Sequence, residues 1–154
     1  MQSSLQASLN RAALLLKTAW VGSLWTIGYL VAPLLFHYLP DRNLAGTIAG
    51  QMFQGQAWLS LICAALLIVF ARLQRHAIAW QIWGMLICTG LGYFALHPFM
   101  AELRAQGLMN SDVQWKFGAL HGLASGLYLI QSILGAIWIL DRGDQPQSGS
   151  TGPG

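Results

Sequence analysis

Charge is what this sequence has least of. Only 8% of its residues are Asp, Glu, Lys or Arg, against roughly a quarter in an ordinary soluble domain. A chain so poor in charge cannot cover a water-facing surface, so lipid is expected to be much of its solvent. Carboxylates are scarcest of all: Asp41, Glu102, Asp112, Asp141 and Asp144, each at the end of an apolar run or in a loop. Proton-coupled pumps place ionisable groups along the path, so a conventional transporter is excluded unless the chain oligomerises. The net charge of +3 comes from thinly spread basic residues and leaves no clustered footprint for nucleic acid. The two cysteines, Cys63 and Cys88, form no CxxC pair and lie in apolar runs. They read as buried small apolar residues, with a disulfide between two helices as the alternative. No GxSxG, HExxH, P-loop or strand-to-helix GxGxxG is present, so no motif points to an enzyme.

What is there is apolar length. The chain is 55% hydrophobic over 154 residues, enough for one domain. A helix rises about 1.5 Å per residue, so about 20 apolar residues cross roughly 30 Å of hydrocarbon. Four segments qualify, at about 12–38, 44–71, 78–97 and 112–140. The expected fold is therefore all-α, a four-helix antiparallel transmembrane bundle over residues 1–142. The first segment is too long for a cleavable signal and reads as a retained helix. Pro40 and Pro98 are expected to close the first and third helices at the same end. Asp41-Arg42-Asn43 restarts the chain, with Leu44, Ile48 and Met52 at four-residue spacing as the beginning of a long second helix. Ser111-Asp112-Val113-Gln114 reads as a capping box for the fourth. Residues 143–154 are rich in Ser, Gly and Pro, cannot bury apolar surface, and are expected to be disordered.

Basic residues orient the spans. Arg11, Lys17, Arg72, Arg75 and Arg142 fall on one side, and Arg42, Arg104 and Lys116 on the other, which favours both termini in the cytoplasm. Trp20, Trp80 and Trp138 are expected near the inner boundary, and Trp58 and Trp115 near the outer one. Within lipid, small residues that allow close backbone approach govern packing. Gly118, Gly122 and Gly126 recur at four-residue spacing, as do Gly84, Cys88 and Gly92. These faces serve either packing within the bundle or self-association. His121, Ser125, Tyr128 and Ser132 form a polar stripe on the fourth helix, either for interhelical hydrogen bonds or for the wall of a pocket.

Three histidines, His37, His97 and His121, lie at the same end of three different helices and share a depth near the outer face. Met52 reaches that level too, and Met100 and Met109 follow in the outer loop. Imidazoles with thioethers suit copper, zinc or iron, and two histidines on facing helices suit a b-type haem iron. Against this, no pair has a tight ligand spacing, and interfacial histidines also serve headgroups or helix ends. His121, on the polar stripe, is the strongest candidate. His37 follows Pro33 by four residues, where the Tyr29 carbonyl loses its backbone partner, and can simply support that kink. His76, beside Arg72 and Arg75, reads as a solvated or headgroup contact.

Several runs carry a resemblance: Trp20-Val21-Gly22-Ser23-Leu24-Trp25, Gly28-Tyr29, Val31-Ala32-Pro33-Leu34-Leu35-Phe36, Ala45-Gly46-Thr47-Ile48-Ala49-Gly50-Gln51-Met52-Phe53, His97-Pro98-Phe99-Met100-Ala101 and Phe117-Gly118-Ala119-Leu120-His121-Gly122. With them the chain resembles the bacterial domain-of-unknown-function 4149 family, akin to the eukaryotic transmembrane protein 205 group. The resemblance covers about residues 12–140 and implies a four-helix integral membrane protein without an established reaction. More distantly it is similar to CopD-like copper-resistance proteins and to the HemJ-type membrane oxidase, which makes copper or haem b a chemically sensible guess at the outer histidines. The His and Lys pair of the oxidase has no assignable counterpart here, so its activity is not implied. The first reading is a bacterial inner-membrane protein embedded in the lipid bilayer, a non-enzymatic accessory or packing subunit of a homo-oligomer or larger membrane complex. The alternative is a copper or b-haem binding protein using His37, His97 and His121, with Met52 and Met100 as further metal ligands.

Overall fold

The computed structural model describes residues 2–107 and 111–141. Every regular element among them is helical. Four helices are long and apolar enough to cross a membrane: α1 (Ser4–Tyr38), α2 (Arg42–Leu73), α3 (Trp80–Ala105) and α4 (Ser111–Leu140). The chain is a multi-pass membrane protein of the expected all-α class. Cross-helix pairings show neighbouring helices running antiparallel. Tyr128 meets Leu24 while Trp138 meets Trp20, and Gln131 meets Thr89 while Asp141 meets Gln81. The expected tail, Arg142 and Met109 lie outside the described residues.

Local chemistry explains the helix limits. Leu39 leaves α1 in an extended conformation just before Pro40. Asp41 then caps α2, its Oδ1 accepting from the Asn43 amide at 2.8 Å and the Leu44 amide at 3.3 Å, which satisfies two otherwise orphaned donors. Pro98 does not close α3, contrary to expectation. The helix continues through it to Ala105, because a π-helical turn, Leu91–Leu96, directly precedes it. In that wider turn the His97 amide donates to the Gly92 carbonyl, five residues back. Pro33 is accommodated the same way, by the π turn Thr26–Val31 and an Ala32 bond to Ile27. A proline ring collides with the carbonyl four residues earlier, and the π turn moves that carbonyl away. His37 is thus not needed to support the kink. Gly107, at φ 85°, ends the long third helix in the left-handed conformation that glycine tolerates best. Ser111 is already helical, so it does not act as the cap expected of it.

The main buried cluster lies in the half of the bundle near the chain termini. Trp20, Val21, Cys63, Ala64, Leu67, Ile82, Met85 and Trp138 form one buried cluster. The Trp20 indole donates to Ser60 Oγ at 2.8 Å and meets Trp138 edge-on at 5.9 Å. Both tryptophans are therefore core residues, not members of an interfacial belt. Trp58 lies midway along α2, exposed, with its ring beside Tyr93. Trp80 and Trp115 are exposed. Cys63 and Cys88 are buried and free. Glycines open the close approaches: a Cβ on Gly135 would sit 3.1 Å from Val21 Cγ1, and one on Gly84 2.8 Å from Leu134 Cδ1. A Cβ on Gly28 would strike the Tyr128 ring, whose hydroxyl donates to the Leu24 carbonyl. Gly135→Leu is expected to destabilise the detergent-solubilised protein by about 1–3 kcal/mol through overpacking. Gly55→Ala, where nothing lies within 4 Å, should be neutral or stabilising by up to about 1 kcal/mol. Thermal unfolding of the two variants checks the contrast.

Candidate functional site

The three histidines share an end of the bundle but not a site. Among the described residues no three His, Cys, Asp or Glu side chains come together. His37 is exposed at the end of α1 with its ring edge-on to Tyr38 at 4.9 Å. His121 is exposed on α4, stacked 6.1 Å from Phe117 one turn earlier. Only His97 turns inward. It is half-buried, its ring lies 5.6 Å from Tyr93, and its Nε2 is 4.0 Å from where a Cβ on Gly50 would stand. Met52 and Met100 are half-buried on α2 and α3, and His76 is exposed after α2. The polar stripe on α4 does not face one way: Ser125 is exposed and bonds back to the His121 carbonyl, Tyr128 bonds across to α1, and Ser132 is buried.

His97 instead belongs to a cleft of about 370 Å³ between α2 and α3, lined by Thr47, Gly50, Gln51, Gln54, His97, Ala101, Arg104 and Ala105. Two glycines one turn apart on α2 face α3 here, Gly46 against Arg104 and Gly50 near His97. Arg104 lies across Gly46: a Cβ there would be 3.0 Å from Nη2, 3.4 Å from Cζ and 3.5 Å from Nη1. Its guanidinium also sits over the Phe117 ring of α4, 5.4 Å from the centroid, a cation–π contact. At the inner end of the cleft, Gln54 Nε2 donates to the Tyr93 hydroxyl at 2.8 Å. The cleft is thus cationic and rich in donors, and no carboxylate lines it.

Sequence reasoning left Arg104 beyond the third helix and read Gly46 and Gly50-Gln51 as residues among apolar helix positions that do not cradle phosphate. Both follow from reading Pro98 as a helix stop. With α3 extended to Ala105, His97 and Arg104 fall seven residues apart, on one face of the same helix.

Residues 15–108, more than half of the chain, match a family described as a domain of unknown function, DUF4149. The chain belongs to the DUF4149 family. No curated protein and no solved structure matches it. In this DUF4149 protein the cleft lies wholly within the matched stretch, whereas α4 and His121 begin beyond it.

The contact of Arg104 with Gly46 is testable by a double-mutant cycle on thermal unfolding. Gly46→Leu alone should cost about 1–3 kcal/mol, because the guanidinium must move. In an Arg104→Ala background the same change should cost less, giving a coupling of at least about 0.5 kcal/mol.

Proposed function

We propose that this DUF4149 protein is a non-enzymatic accessory protein of the bacterial inner membrane that acts by helix association, with α4 as its contact surface and a second copy of the chain as partner. The observation that carries this reading is the environment of the α4 glycines. Among the described residues, added Cβ atoms at Gly118, Gly122 and Gly126 would meet nothing within 4 Å. Gly28, Gly84 and Gly135, by contrast, are each covered by a side chain of a neighbouring helix. In lipid, a small residue every fourth position lets a second backbone approach closely. A twofold axis lays such a stripe on its own copy, so the surface is self-complementary. His121 lies between Gly118 and Gly122 and is exposed within the span. An imidazole facing hydrocarbon is costly, and a second helix packed there gives it a hydrogen-bonding partner.

Association should be measured by sedimentation in density-matched mild detergent. The wild-type chain is expected to form a dimer, and Gly118→Leu with Gly122→Leu to shift it to monomer without changing helix content. A monomeric wild type, or a double variant that dimerises as well as wild type, would overturn the reading. The same samples address the copper or b-haem alternative. With no convergence of His37, His97 and His121 in one chain, that alternative needs ligands shared between copies. Less than about a tenth of an equivalent of Cu, Fe or Zn per chain, with no Soret band, is the expected result.

Both termini are proposed to be cytoplasmic on the basic-residue balance. Single cysteines introduced at Arg42 and at Gln114, in a cysteine-free background, should react with an impermeant maleimide from the outer face only. Labelling from the cytoplasmic face would invert the topology.

A further inference from the structure

We propose that the cleft between α2 and α3 binds a phosphate group, that of a phospholipid headgroup in the membrane, with Arg104 as its principal contact. Arg104 is held in place before any ligand arrives. Its guanidinium lies beside Gly46 and over the Phe117 ring at 5.4 Å, and a fork restrained in this way loses little freedom on engaging an anion. Among the described residues no carboxylate or carbonyl accepts from its N–H donors.

Two carboxylates, Glu102 and Asp41, are turned to other tasks. Glu102 lines the neighbouring cleft between α3 and α4 together with Lys116. Asp41 is engaged by the first amides of α2. The remaining polar groups of the cleft suit an anion. The Gln51 amide is exposed on its wall, and the His97 imidazole stands deeper, beside Gly50.

Depth and access then select the ligand. Arg104 lies 24 residues beyond Trp80 on one continuous helix (104 − 80), or about 36 Å of rise. Hydrocarbon spans roughly 30 Å, so the guanidinium reaches the level where lipid phosphates lie. The cleft is open, about 370 Å³ in volume, and bounded by two spanning helices. A lipid can therefore enter sideways, with its acyl chains remaining in the bilayer. Arginine pairs with phosphate oxygens through two parallel N–H bonds, a geometry that a single ammonium does not reproduce.

Native mass spectrometry of the full chain in mild detergent, titrated with dioleoyl phosphatidylglycerol, tests this. The expected result is one retained lipid per chain, with affinity falling about tenfold or more in Arg104→Gln and less in Arg104→Lys. Arg42→Gln, outside the cleft, should bind as the wild type does. Gln51→Leu, an exposed position whose replacement leaves the bundle intact, should weaken retention severalfold and keeps the test decisive if Arg104→Gln fails to fold. A parallel arm with glycerol 3-phosphate and with inorganic phosphate, read by thermal shift, separates the sources. Stabilisation by the lipid alone identifies a headgroup. An Arg104-dependent response to the soluble phosphates as well keeps the phosphate site but makes a free phosphate ester the ligand. If neither lipid nor phosphate binds the wild type, or if Arg104→Gln and Gln51→Leu both bind as tightly as wild type, the site does not exist.

Discussion

Trp20 ties the four helices together at the end where the chain termini lie. Its indole N–H reaches Ser60 on α2, its ring meets Trp138 on α4, and its side chain belongs to the same buried cluster as Ile82 and Met85 of α3. A single residue of α1 thus joins a cluster built from all four helices. The hydrophobic effect supplies no attraction between helices in lipid, so such a junction depends on close packing and on hydrogen bonds kept away from water. Ser60 completes it, because its hydroxyl accepts from Trp20 while donating to the Gln56 carbonyl one turn back. Gly135 lets α4 approach near Val21 and Met85. With one end held this firmly, the other can remain open without the bundle coming apart. Among the described residues of α4, only Gln131, Ser132, Gly135 and Trp138 are buried, all in its second half.

The open end is shaped by two prolines that do not break their helices. Each follows a π-helical turn, which inserts one residue into the helical count. One extra residue rotates everything beyond it by about 100° relative to an uninterrupted helix. In α3 the part beyond is the segment carrying His97 and Arg104, so the turn at Leu91–Leu96 decides that these two face the glycine trough of α2 instead of lipid. The trough is the complementary requirement. At position 46 a methyl group would already crowd the guanidinium. The cleft therefore arises from two local backbone devices on different helices, one that turns side chains inward and one that makes room for them.

The fold was legible in the sequence because its determinants are long and additive. Four apolar runs, few internal charges and an Asp after Pro40 suffice for four spans and for the start of α2. The site was not, because it depends on single-residue geometry. Pro98 reads as a stop by every local rule, and only the preceding π turn reverses that; nothing in Leu91–Leu96 advertises a fifth-residue hydrogen bond. Glycine spacing was equally ambiguous. The same four-residue interval occurs at Gly46 and Gly50, which face α3, and at Gly118, Gly122 and Gly126, where an added Cβ meets nothing within 4 Å among the described residues. Spacing identifies a face but not its partner. The tryptophans failed for a related reason: boundary position suggests a belt, yet Trp20 and Trp138 point inward because Ser60 offers one of them a hydrogen bond and a small-residue neighbourhood admits both rings.

The cleft and the exposed stripe of α4 are separate surfaces that meet at Phe117. Its ring carries the Arg104 guanidinium at 5.4 Å and lies parallel to the His121 imidazole at 6.1 Å. Phe117 therefore forms part of the surround of Arg104, while His121 stands among the glycines of the stripe. Contacts of this kind are short-ranged, so a rotation of α4 large enough to seat a second helix on its glycines also changes how Phe117 covers the guanidinium. A ligand that engages the Arg104 guanidinium from the cleft would in turn change its contact with Phe117, the ring that also stacks on His121. Any coupling of this type must act equally in both directions, since it is a property of shared free energy and not of a signal with a source. If the stripe seats a second helix and the cleft a phosphate group, the two would be linked through one aromatic ring, Phe117.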